Sequence, residues 1–284
     1  MTEASLPAGV DAPRRRDPLG TARMLGIGLA LALMTLVLMP LQLLAIRLRW
    51  PLARRLPFVW HSVAARLIGL RLHLKGRPVT ERPLLLVANH QSWADIVALG
   101  AVMPLSFIAK SEVAGWPIFG LLAKLQRTTF VEREARGRTG QQADAIGERL
   151  NAGDAMVLFA EGTTSDGNRV LPFKTALFGA AQASLRRSQA EAVWVQPVCV
   201  AYTKVNGMPM GHYGRPLAAW PGDVELMPHL LAFLREGAVD AEIRFGEPIR
   251  FDAASDRKAV ARRCESVVAA LMARSLRGDD DRAG

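Results

Sequence analysis

The chain is predicted to fold as an α/β domain, a largely parallel sheet flanked by helices, behind an N-terminal hydrophobic helical segment that anchors it to a membrane. Three observations predict this. Residues 24–46, "MLGIGLALALMTLVLMPLQLLAI", carry no charge. Beyond residue 70, short apolar runs alternate with segments of helical periodicity, the pattern of βα units. Half of the 284 residues are hydrophobic, enough for a full-sized core.

The elements follow in chain order. Residues 1–23 are basic and predicted to be disordered. At about 1.5 Å per residue, the run at 24–46 is long enough for a hydrocarbon core of roughly 30 Å, and no small-residue cleavage site follows it, so it is expected to be retained. Arg23 lies before it and Arg47 and Arg49 after it, so flanking charge sets no orientation. Two arrangements fit: a full span, or a hairpin bent near Pro40 and Gln42 that dips into one leaflet. The stretch 51–70 is amphipathic. Leu56, Val59, Trp60, Val63, Leu67 and Leu70 recur at helical spacing with Arg54, Arg55 and Arg66 between them, which suits the interface of an anionic membrane. Residues 24–70 are therefore read as the anchor. Residues 71–276 are predicted to form the α/β domain, with strands near 71–75, 83–88, 105–109, 128–132, 155–160, 193–202 and 240–247. Helices are predicted near 92–103, 117–125, 138–151, 173–187, 224–235 and 255–275. Residues 277–284 are a polar tail expected to be disordered.

Charge supports this division. The net charge is +10, and residues 1–80 hold twelve Lys or Arg against three acids, so the excess belongs to the anchor. Its basic residues sit beside apolar stretches rather than among exposed aromatics, which argues against nucleic acid as a partner. Cys199 and Cys264 have no metal-ligand spacing and fit a reducing compartment. The five histidines make no H-E-x-x-H, and the sequence contains no G-x-S-x-G and no phosphate loop. No metal or redox cofactor is implied.

Two motifs fall at predicted strand ends, where open α/β sheets carry their sites. "NHQSWAD" (89–95) follows the apolar run "LLLVA". Asp95 in the first turn of a helix can accept the Nδ1–H of His90, fix its tautomer and leave Nε2 to take a proton. With no enzyme nucleophile in view, the proton would come from a hydroxyl of the substrate. The competing reading is a helix cap beside a packed histidine. "FAEGTTSDG" (159–167) supplies Glu161, Gly162, Thr163 and Thr164 in a loop of turn formers whose N–H groups and hydroxyls suit an oxyanion or a phosphate. Lys110 and Arg133, at predicted strand ends, flank these motifs and would meet an anionic substrate; the competing readings are an ordinary strand-to-helix connection and surface cations.

Taken together, "NHQSWAD", "FVER" (130–133), "FAEGTTSDG" and "VQPVCVAYT" (195–203) resemble, in order, the blocks of the glycerophospholipid acyltransferase family, with "LPFKTALFGAA" (171–181) also similar. The resemblance implies that His90 is the base and Asp95 its partner, that Arg133 and the Glu161–Gly162–Thr163 loop bind the acceptor, and that the donor is a thioester on coenzyme A or acyl carrier protein. It also implies a bacterial inner-membrane enzyme with a cytoplasmic catalytic domain, acting on lysolipids in the membrane. The chain departs from the family at Thr164, where an arginine is usual, and threonine is no substitute as a bidentate phosphate partner. Arg169 or Lys174 would then have to compensate. The family's commonest acceptor, 1-acylglycerol 3-phosphate, is the first expectation, and lyso-ornithine lipid, with the same chemistry, is the second. A non-catalytic membrane-binding protein with a degenerate domain is the third, and the presence of both His90 and Asp95 argues against it.

Overall fold

The computed structural model describes residues 18–131, 139–187, 191–222 and 224–279. The strands are β1 (Leu70–Lys75), β2 (Leu84–Ala88), β3 (Ser106–Lys110), β4 (Thr129–Val131), β5 (Ala155–Phe159), β6 (Val193–Val205), β7 (Met208–Pro209), β8 (Val239–Phe245) and β9 (Ile249–Phe251). The helices are α1 (Pro18–Arg47), α2 (Leu52–Leu67), α3 (Ala94–Gly100), α4 (Phe119–Leu125), α5 (Thr139–Asn151), α6 (Gly179–Arg187), α7 (Gly211–Gly214), α8 (Leu226–Glu236) and α9 (Arg257–Arg277). One sheet runs in the order β1-β8-β6-β2-β5-β3-β4, with β7 and β9 pairing β6.

Strand β2 shows why the sheet is covered on both faces. All five of its side chains are buried. Leu84, Leu86 and Ala88 enter one apolar core with residues of α2, α3 and α8, while Leu85 and Val87 enter the other with residues of α5, α6 and α9. A strand with a core on either side must be apolar throughout, which is why it reads as an unbroken run. The expectation of a largely parallel sheet is met by β6-β2-β5-β3-β4, which pair in parallel throughout. The exceptions are β8, β7 and β9, which are antiparallel to β6, while β1 pairs β8 in parallel. β6 extends well past the part that pairs with β2; this extension carries β8 and β7, while β9 pairs the start of β6 at Val193–Val195. The sequence reading missed β7 and β9, which are two and three residues long.

Helix α1 begins at Pro18, so residues 18–23, expected to be disordered, are helical; residues 1–17 lie outside the described residues. The helix continues through Pro40 without a break, which removes the predicted bend at that point. Both of its ends grip the α/β domain. Arg23 donates to the carbonyls of Leu234 (2.7 Å) and Gly237 (2.9 Å) at the end of α8. Gln42, buried, donates to the carbonyls of Ala53 (3.1 Å) and Leu125 (2.6 Å) in α2 and α4. These contacts are about 28 Å apart along the helix, so α1 lies along the domain. Its other face exposes Leu25, Leu29, Leu33, Leu36, Val37, Leu41 and Leu44, a stripe at helical spacing along nearly the full length. α2 returns beside α1 and buries Leu56, His61 and Ala64. Gly69 then turns the chain into β1 at φ +80°; a Cβ there would lie 2.1 Å from the Gly237 carbonyl, so only glycine fits. At the C-terminus, Gly278 closes α9 in the left-handed conformation, and Arg244 donates to the Asp279 carbonyl (2.8 Å). The start of the expected tail is therefore fixed, and residues 280–284 lie outside the described residues.

Candidate active site

The site forms where β2 and β5 end. Asn89 stops β2 by substituting its side-chain amide for backbone: Nδ2 donates to the Val200 carbonyl and Oδ1 accepts from the Val200 N–H, both at 2.9 Å. His90 is thereby placed at the sheet edge and α3 starts four residues later. Asp95, in the first turn of that helix, is fully buried. Its Oδ2 accepts from the Gln91 and Ser92 N–H groups at 2.7 and 2.9 Å and lies 2.8 Å from His90 Nδ1. A carboxylate is favoured here by the helix N-terminus as well as by these donors. His90 therefore carries its proton on Nδ1 toward Asp95, while Nε2 has no partner among the described residues and the side chain is 17% exposed. The imidazole stacks on Phe159, the last residue of β5, with ring centroids 3.9 Å apart, and Phe159 stacks in turn on Phe107.

Tyr202 completes the arrangement. From β6 its hydroxyl donates to Asp95 Oδ1 at 2.7 Å. Complete burial, and after it the charge of Asp95, holds the phenol well above its usual pKa, so it remains a donor. Tyr202 lies in the segment "VQPVCVAYT" with no role legible from the sequence, because nothing in its spacing shows that β6 lies beside β2.

The loop after β5 holds the His90 main chain from two sides. Glu161 Oε1 accepts the His90 N–H (3.2 Å), and Ser165 N–H donates to the His90 carbonyl (2.9 Å). Trp220 N–H donates to the next carbonyl, that of Gln91, at 2.6 Å. At Gly167, φ is +78°, a backbone conformation that favours glycine, and a Cβ would lie 2.8 Å from Gln91 Oε1. Glu161 was expected to bind the acceptor but faces the protein's own backbone and is 1% exposed. Burial pushes its carboxyl up to about 8, against the pull of the His90 and Leu171 N–H groups and with a contribution from the Asp95 charge. Gly162 is buried behind it, whereas Thr163 is exposed and Thr164 partly so. Lys110, at the end of β3, and Lys174, just before the short 3-10 turn Thr175–Phe178, are exposed, and neither forms an ion pair among the described residues. Arg133 lies outside the described residues. No cluster of three His, Cys, Asp or Glu suited to a metal occurs among the described residues.

This geometry can be set beside known proteins. The family model described as Acyltransferase matches residues 70–201. A lyso-ornithine lipid O-acyltransferase from Brucella abortus (strain 2308) is 57% identical, covering 92% of this chain and 97% of the relative. One from Rhizobium meliloti (strain 1021) is 50% identical over 88% and 86%. A 1-acyl-sn-glycerol-3-phosphate acyltransferase from Neisseria gonorrhoeae is 43% identical, but over 42% of this chain and 47% of the relative. Among solved structures, the 1-acyl-sn-glycerophosphate (LPA) acyltransferase PlsC from Thermotoga maritima shares the fold, with a TM-score of 0.58 and 21% identity over 90% of this chain and 97% of that one. Near-full-length identity above half to an acyltransferase, with the motif-bearing half of the domain matched by the family model, places this chain in the acyltransferase family as an acyl-transferring enzyme.

Proposed function

We propose that the enzyme is a lyso-ornithine lipid O-acyltransferase in which His90 is the general base. This reverses the order of acceptors expected from the sequence blocks. The observation that carries the reversal is the near-full-length 57% identity to a lyso-ornithine lipid O-acyltransferase, against a phosphate-acceptor likeness confined to less than half the chain or to the fold. Thr164 agrees with it: a neutral, partly exposed side chain stands where a phosphate monoester would call for a guanidinium. An ornithine head group presents an amine as well as a carboxylate, and an added cation at that position would repel the amine.

The proposed step is as follows. His90 Nε2 takes the proton of the lysolipid hydroxyl as the oxygen attacks the thioester carbonyl of an acyl carrier protein or coenzyme A donor. Asp95 stabilises the imidazolium that forms, with Tyr202 and two backbone N–H groups fixing the carboxylate. The tetrahedral intermediate collapses, the C–S bond breaks, and the imidazolium returns its proton to the leaving thiolate. Ester and free thiol are the products, and His90 ends in its starting state.

We place the enzyme on the cytoplasmic face of a bacterial inner membrane. The support is α1, the one helix among the described residues long and apolar enough to cross a membrane. Because the domain holds both of its ends, α1 lies in the membrane plane with its leucine stripe in the acyl-chain region of one leaflet. Release of thiol from an acyl donor, with lyso-ornithine lipid as acceptor, tests the reading. His90→Ala and Asp95→Asn should each lower turnover by ~10²–10⁴-fold in folded protein. Turnover by folded His90→Ala within a few-fold of wild type would contradict it.

A further inference from the structure

At the opposite end of the sheet from His90, where β2, β3 and β5 begin, a cavity of about 170 Å³ is lined by Arg54, Arg82, Arg127, Ser106, Gly153 and Asp154, among others. β2 alone separates this end from the active site by roughly 17 Å. The cavity has too little negative charge for its positive charge. Asp154, its side chain 3% exposed, is a shared partner for Arg54 (2.7 Å), Arg127 (3.0 Å) and Arg149 (2.8 Å). One carboxylate thus faces three guanidinium groups, with Arg82 as a fourth at the rim. Arg149 is fully engaged, donating also to Ser106 Oγ (2.7 Å), Thr129 Oγ1 (3.0 Å) and the Arg127 carbonyl. Burial, and with it the charges of Arg127 and Arg54, holds Arg149 below the usual arginine range despite Asp154.

Arg54 and Arg127 keep N–H groups that no described residue accepts. Arg54 donates to the Ala152 carbonyl (2.7 Å) and is only ion-paired with Asp154, and the Arg127 side chain donates to Asp154 alone. Arg127 also holds a backbone φ of +63°, in the left-handed region where a chain leaving a helix normally places glycine or asparagine. An arginine kept in that conformation is an observed departure of the kind that accompanies function. The cavity lies next to the anchor: Arg54 follows the α1–α2 turn, whose Leu48 and Trp50 are exposed.

We propose that this cavity is a phosphate-binding site, separate from the catalytic centre, built from the forks of Arg54 and Arg127 with Arg82 at its rim. Guanidinium groups in a partly enclosed, positively unbalanced cavity match the planar, bidentate demands of phosphate oxygens. The phosphate is either that of a membrane lipid head group, which the neighbouring α1–α2 turn would bring to this depth, or free in solution.

Full-length protein in neutral detergent is first titrated with inorganic phosphate at constant ionic strength, following the melting temperature. It is then bound to vesicles of phosphatidylglycerol in phosphatidylcholine. The variants are Arg127→Asn, which tolerates positive φ, and Arg54→Gln, whose parent side chain is 44% exposed; circular dichroism confirms folding. Arg47→Gln, an exposed arginine outside the cavity, controls for diffuse charge. A head-group site predicts that each cavity variant binds the vesicles about five-fold more weakly and more weakly than Arg47→Gln. A soluble-phosphate site predicts that phosphate raises the wild-type melting temperature and not that of the variants. If both cavity variants match Arg47→Gln on vesicles and phosphate shifts all proteins alike, the cluster is only a scaffold around Asp154 and the proposal is overturned.

Discussion

Asp95 gathers four donors, and their geometry makes separable demands. The His90 Nδ1–H, two backbone N–H groups and the Tyr202 hydroxyl leave neither carboxylate oxygen bare. Tyr202→Phe removes one donor from a buried anion, which costs about 1–3 kcal/mol of stability. It also leaves Asp95 more electron-rich. The imidazolium gains from that, so the acidic limb of the kcat/KM profile for acyl transfer should move to higher pH. Cys199, Ser92 and Glu161, the other polar groups near this carboxylate, are unchanged in the variant. An unmoved limb would leave Tyr202 a packing residue. Glu161 sets the opposite limb. Its carboxyl titrates at about 8 when folded against an ordinary value near 4.5, so its protonated form contributes stability that is intact below 4.5 and lost as pH rises through 8. The melting temperature should therefore fall between about pH 4.5 and 8 and level off above, and activity should decline as the carboxyl ionises near pH 8. Glu161→Gln, whose carbonyl can still accept the His90 N–H, should remove that decline; a decline that persists in the variant would assign it to another group. At this scale the sequence was informative where partners are local. His90 and Asp95, five residues apart, were legible. Tyr202 and the inward turn of Glu161 were not, because both depend on which strands are neighbours in the sheet.

The elements were legible where the hydrophobic period is long or the run unbroken. The fully buried β2 and β5 show as apolar runs, and α9, capped by Asp256 at Lys258 and Ala259, ends within two residues of its expected boundary. The antiparallel edge of the sheet was not legible, because β9 is too short to carry a period. α1 is the instructive case. Composition alone leaves a full span and a bent hairpin open, and only its side-chain contacts show it lying along the domain: Arg23 with α8, and Gln42 with α2 and α4. That difference can be measured. Single cysteines at Leu19 and Leu48, both exposed near the two ends, are placed in the full chain, where the native Cys199 and Cys264 are buried. In sealed vesicles with the cytoplasmic face outward, both should react with an impermeant maleimide. Reaction of one end only would mean that α1 crosses the bilayer.

The whole molecule joins an apolar stripe, an α/β domain and the His90–Asp95 pair at the carboxyl ends of the strands; under the proposed function, a single-chain lipid would be acylated without leaving the membrane. Its charge is arranged to match, with the basic excess in the anchor and the cavity beside the α1–α2 turn, and a neutral Thr164 on the catalytic loop. The central claim is the identity of the acceptor, and a competition tests it most directly. Wild-type enzyme is given equal concentrations of lyso-ornithine lipid and lysophosphatidate with one acyl donor, and the two acylated products are quantified. Acylated ornithine lipid should dominate, and Thr164→Arg should shift the ratio toward phosphatidate by about ten-fold or more, the effect of one charge-assisted hydrogen bond gained by the phosphate. Wild-type product that is mainly phosphatidate, with no shift in Thr164→Arg, would contradict the account.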